Sequence, residues 1–186
     1  MLDRSIPECA AFLDSMASTS SPTDRGILCL LMMARTDRLF RDVTLRAVSP
    51  LLTRDGTTIL PEQLQEALES YLQEHDLAWS PYTAAQVRQH LLTALKDFGV
   101  LRGSRPKRTV RPRPGSQVTL LACRFGLLEG LTPLQLLGSR WFRLLGFDAE
   151  QAVDLLYAAA REGVLQFQMQ AEVVELQIPN LESADT

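Results

Sequence analysis

The sequence predicts a mainly α-helical protein, an N-terminal helical region followed by two tandem winged-helix-like units, each a helix-turn-helix with a β-hairpin. Three observations carry this. One segment is written twice: residues 85–101 are echoed 64 positions later by residues 149–165. Each copy reads as an amphipathic helix stopped by glycine, then Val-Leu opening a strand, the order in which a recognition helix runs into its wing. Apolar residues recur at spacings of three and four through most of the chain, the helical period. Leucine dominates the apolar set while aromatics make up only 6% of the 186 residues, a composition that favours helices. The expected divisions are a helical region at 1–52, a first unit at 53–119, a second at 120–179 and a frayed tail at 180–186.

The elements follow in order. Ile6, Cys9, Ala10, Leu13 and Met16 share one face of a first helix over 6–17. A Ser/Thr linker, 18–22, leads to a second helix capped by Thr23 or Asp24, with an almost wholly apolar start at 27–34. Residues 37–48 continue helically until Pro50, and 53–57 form a turn. Pro61 opens the next helix from its favoured first-turn position. Ser80 or Thr83 caps the helix after it, which turns Val87, Leu91, Leu92, Leu95 and Phe98 inward. The first wing is then a strand at 100–101, a basic proline-rich tip, and a return strand at 117–121. In the second unit, Thr132-Pro133 starts a single helix carrying Leu134 to Leu145, with Trp141 and Phe142 in the core. Asp148 caps the repeated helix. Residues 164–168 and 172–178 alternate apolar and polar, and read as a hairpin turning near Gln170-Ala171.

Composition excludes several classes. Cys9, Cys29 and Cys123 are distant and odd in number, so neither a disulfide framework nor a zinc site is expected; reduced cytosolic thiols are. Acidic residues among the first 25 argue against a signal peptide, and the longest apolar run has eight residues where a membrane span needs about 20. A cytoplasmic protein without membrane contact is the expectation. His75, between Glu74 and Asp76, reads as a solvated residue, and His90 as a helix-surface residue or a phosphate contact. There is no Gly-rich phosphate loop and no Ser-His-Asp grouping, so no catalytic residue, metal or cofactor is expected.

The functional signal is a local charge. Net charge is −3, yet residues 102–113 hold six cations and no acid, so the rest of the chain stands at −9. A patch of this kind on an acidic body orients a polyanion rather than merely attracting one. Arg102, Arg105, Lys107, Arg108, Arg111 and Arg113 are therefore the expected contacts to phosphates or a minor groove, stiffened by Pro106, Pro112 and Pro114. Arg88, Gln89, Thr93 and Lys96, with Gln86 and His90 beside them, are the outward residues of the preceding helix and carry the groups that read base edges. The equivalent face of the second copy, Glu150, Gln151 and Asp154, would repel phosphate and suits packing or a protein partner.

An apolar helix running into RTDRLFRDVTLRAVSPLL, a linker, then TAAQVRQHLLTALKDFGVL and a basic strand resembles the small BrxA-type proteins of bacterial BREX phage-defence systems, mainly over residues 26–111. That resemblance implies a non-enzymatic, helical DNA-binding protein with a winged helix. Such a protein works on double-stranded DNA beside larger subunits that carry methyltransferase and ATPase activities. Two alternatives stand: a protein–protein interaction scaffold within a multi-subunit complex, or a dimeric transcriptional repressor using the apolar helix 27–34 as its interface.

Overall fold

The computed structural model describes residues 5–171 and 173–179; the expected frayed tail at 180–186 lies outside them. The described chain is mainly helical, with two small antiparallel hairpins. Helix α1 (Pro7–Ser18) leads into α2 (Pro22–Thr36), whose cap is Ser21: its hydroxyl accepts from the Asp24 N–H at 3.2 Å. The cap lies upstream of the expected Thr23 or Asp24 because Pro22, which has no N–H to satisfy, takes the first helical position. Within α2, Ile27, Leu28, Leu30, Leu31 and Ala34 are at most 2% exposed, packed by α1, α3 and α6. The idea of this helix as an exposed dimer face is therefore corrected: an all-round apolar helix is one that other helices enclose.

Helix α3 (Arg38–Ala47) is capped by the Asp37 carboxylate and ends in a 3-10 turn, Ser49–Leu51. Helices α4 (Pro61–Glu74) and α5 (Pro81–Asp97) follow, the latter capped by Ser80, which accepts from the Thr83 N–H at 3.1 Å. Strands β1 (Leu101–Arg102) and β2 (Arg108–Thr109) pair with Leu101 opposite Thr109 and Arg102 opposite Arg108. Residues 56–59 lie against the other side of β2. There Ile59 N–H donates to the Lys107 carbonyl, Thr109 N–H to that of Thr57, and Gly56 N–H to that of Thr109.

The expected return strand at 117–121 is instead part of α6 (Ser116–Leu128). The hairpin closes earlier because the chain turns at Gly103, in the left-handed region at φ +84°. Residues 118–126 are buried without a break among α1, α2, α8 and α9, which makes α6 the central helix. The limit expected between residues 119 and 120 falls inside it. The single helix expected after Thr132 is two: α7 (Pro133–Leu137) and α8 (Arg140–Leu144), since Gly138 closes the first and Ser139, in extended conformation, begins the second. Trp141 and Phe142 are fully buried core residues.

Helix α9 (Ala149–Arg161) is capped by Asp148, whose carboxylate accepts from the Gln151 N–H while its own N–H donates to Gln151 Oε1. It repeats the end of α5 bond for bond. Val100 N–H reaches the Leu95 carbonyl as Val164 N–H reaches that of Ala159, and Gly99 and Gly163 both have positive φ. This six-to-one closure is the Schellman cap, and it needs glycine at the left-handed position. Strands β3 (Gln166–Gln170) and β4 (Val173–Gln177) then form the second hairpin, turning at Ala171. Among the described residues no helix is long and apolar enough to cross a membrane.

Candidate nucleic-acid interface

Helix α5 and the β1–β2 hairpin are neighbours, and β1 packs against α5. The helix buries Ala84, Leu91 and Leu95. On the opposite side Gln86, Gln89, His90, Thr93 and Lys96 are exposed. Gln89, Thr93 and Lys96 therefore lie on the face expected. The Thr93 hydroxyl donates to the Gln89 carbonyl at 3.0 Å, which leaves its oxygen lone pairs as acceptors. Arg88 differs: it is half-buried, and its Nη1 donates to Gln65 Oε1 on α4 at 2.6 Å. Its guanidinium braces the two helices before it can reach any ligand.

Of the six cations, four belong to the hairpin. Arg102 and Arg108 are both exposed and sit directly across the strand pair, so two like charges face each other. Like charges in that relation destabilise a sheet. The Arg102 guanidinium lies above Gly56, whose missing side chain leaves 3.9 Å between Arg102 Nη2 and an ideal Cβ position. Arg105 and Lys107 are in the connecting turn, Arg105 exposed and Lys107 half-exposed. Among the described residues the salt bridges engage Arg35, Arg38, Arg41, Arg46 and Arg140, and none engages a cation of the hairpin. The sheet edge is held from below by Thr109, which is fully buried: its hydroxyl donates to the Arg54 carbonyl at 2.7 Å and accepts from the Thr57 N–H at 3.0 Å.

Arg111 and Arg113 lie beyond the hairpin, in the connection to α6. Arg111 is half-buried; its N–H donates to the Asp55 carboxylate and its guanidinium stands 5.8 Å from the Phe147 ring. That contact ties the connection to the turn before α9. Arg113 is exposed. Gly115, the last residue of the connection, is fixed by its N–H to Asp24 Oδ1 at 3.1 Å.

Two features escaped the sequence. Tyr82 is 75% exposed in the first turn of α5, in line with Gln86, Gln89 and Thr93. Its signal was the Ser80-Pro81 pair, a cap followed by a first-position proline, which places Tyr82 inside the helix on the outward face. Residues 56–59 gave no strand pattern, being too short for one. The second copy presents Glu150 and Asp154 exposed on α9, whereas Gln151 is committed to the cap. His75 stacks on Tyr71 at 4.1 Å and its Nδ1 meets the Tyr71 carbonyl, far in role from His90 on α5. Among the described residues no group of three or more His, Cys, Asp or Glu is placed to hold a metal ion.

A family model described as BrxA matches residues 9–120, a span that runs from α1 through α5 and the basic hairpin into α6. No curated protein and no solved structure matches the chain.

Proposed function

This chain belongs to the BrxA family, and from that premise we propose that it serves a BREX-type phage-defence system as a DNA-binding protein that acts by binding rather than by catalysis. In this reading residues 38–109 form a winged helix. Helix α3, the strand segment 56–59, α4, α5 and the β1–β2 hairpin follow in the order of that module, with α5 as recognition helix and the hairpin as wing. Gln86, Gln89, Thr93 and Tyr82 face the major groove, with Lys96 at the phosphates. Arg88 positions α5 against α4.

The single observation that carries the proposal is the Arg102–Arg108 pair. Two arginines held opposite each other, with Arg105 and Lys107 at the tip and, among the described residues, no salt bridge to any of the four, form a surface whose repulsion a phosphate backbone relieves. The test is duplex binding by fluorescence anisotropy across a salt series. Each neutralised phosphate adds about −0.9 to the slope of log K against log salt, so four hairpin contacts give about −3.6 and all six cations about −5.4. Replacing Arg102, Arg105, Lys107 and Arg108 with alanine should abolish most of that slope. Salt-insensitive binding, or an unchanged slope in this variant, removes the wing from the interface.

The second unit favours a protein partner. Its helix α9 exposes Glu150 and Asp154, its two-stranded sheet leaves both outer edges unpaired, and Val173 is 64% exposed. In this reading one unit holds DNA and the other docks the remaining subunits of the defence complex.

A further inference from the structure

A groove of about 380 Å³ lies where the end of α1 meets the start of α6, lined by Asp14, Ser18, Gln117, Arg124 and Pro179. Its size is that of a small-ligand site. The residue of interest is Arg124, only 9% exposed on the central helix. Among the described residues its Nε–H has no hydrogen-bond partner. Its Nη2 donates to the Pro179 carbonyl at 3.4 Å, long for such a bond. Burial pushes the guanidinium below its ordinary pKa, and Asp14 opposes that only in part. Arg35, another partly sheltered arginine, shows the usual solution: it is met by two carboxylates, Glu8 and Glu129. A buried guanidinium with an unmet donor is costly unless something else supplies the acceptor.

We propose that this groove binds a carboxylate, its oxygens accepting from the Arg124 Nε–H and a neighbouring guanidinium N–H. A planar carboxylate matches the arginine fork, and the two parallel bonds fix its orientation. Ser18 and Gln117, at the rim, supply further donors. The site is separate from the basic hairpin, so it stands or falls independently of DNA binding.

The experiment is thermal unfolding of the full chain at constant pH and ionic strength, titrating acetate and chloride in turn. Acetate should raise Tm saturably, by about 3–5 °C at ten times its apparent Kd, with no comparable rise in chloride. Arg124→Met should abolish the response. Should that variant not fold, Gln117→Glu serves: it adds a carboxylate to the lining of the groove and should weaken the acetate response in a folded protein. A blocked Gly-Glu-Gly peptide separates the sources. A rise matching that of acetate assigns the site to a side chain of a partner protein, and a rise with acetate alone assigns it to a free small ligand. Equal shifts in acetate and chloride, or an undiminished response in Gln117→Glu, overturns the proposal.

Discussion

Replacing Glu129 with alanine should destabilise the protein by about 3 kcal/mol, far more than a surface ion pair would account for. Glu129 follows α6, and its side chain is 10% exposed. It accepts from Arg35 Nη1 at 2.8 Å, from Arg140 Nη2 at 2.8 Å and from Trp141 Nε1 at 3.1 Å, joining α2, α6 and α8 at one carboxylate. The three losses differ in size. Arg140 is 42% exposed and returns to water, so its share is below about 1 kcal/mol. Arg35 keeps Glu8, so it is only partly orphaned. The Trp141 indole is fully buried, and an N–H left there without an acceptor costs about 1–3 kcal/mol. The cavity left by the side chain adds to these.

For a chain of this length about 3 kcal/mol lowers Tm by roughly 6–12 °C. Urea denaturation should show a lower midpoint with an unchanged m-value, since the folded topology persists. Glu129→Gln keeps one acceptor oxygen, enough for Trp141, but loses the charge and turns the other oxygen into an NH2 donor facing the arginines, so it should cost less than alanine. A Glu129→Ala cost below about 1 kcal/mol, or equal costs for the two variants, would refute the argument that the orphaned indole dominates.

Three further outcomes are expected. Arg35 hydrogen-bonds Glu8, and with help from the backbone it holds that carboxyl below its usual range; the stability it adds is present above the ordinary glutamate pKa of about 4.3 and lost as pH falls through the lowered value. Glu8→Gln should therefore flatten the acid limb of a Tm-versus-pH curve below about pH 4, and an unchanged limb would exclude this pair. The Cys123 thiol, fully buried, is pushed up to about 12, so a maleimide at pH 8 should leave it unlabelled until denaturant is added. Gly146→Ala should cost about 2–4 kcal/mol by urea titration, because φ is +80° there and a Cβ would lie 2.6 Å from that of Leu52; a neutral effect would mean the turn before α9 yields freely.

What the sequence disclosed and what it hid have one physical division. The Schellman caps at Gly99 and Gly163 were legible because a local rule sets them: a helix that must end leaves carbonyls to satisfy, and glycine alone takes the left-handed residue cheaply. The paired hairpins after them follow from the same local logic. Residues 117–121 were misread because their neighbours decide the outcome. An apolar run of that length suits a strand or a buried helix equally, and only the enclosure of α6 by α1, α2, α8 and α9 selects the helix. The charge of residues 102–113 was legible as composition, but its division was not. Four cations sit on the hairpin, while Arg111 is drawn to Asp55 and Phe147. Arg88 was misjudged by the same route, since its spacing says outward while Gln65 on α4 holds it. Spacing along one helix fixes which way a residue points and says nothing about what stands there. Among the described residues the four cations of the β1–β2 hairpin, Arg102, Arg105, Lys107 and Arg108, enter no salt bridge, whereas the arginines of α2 and α3, Arg35, Arg38, Arg41 and Arg46, all meet carboxylates. The difference lies in which elements pack beside each charge, which no periodicity within one helix or strand discloses.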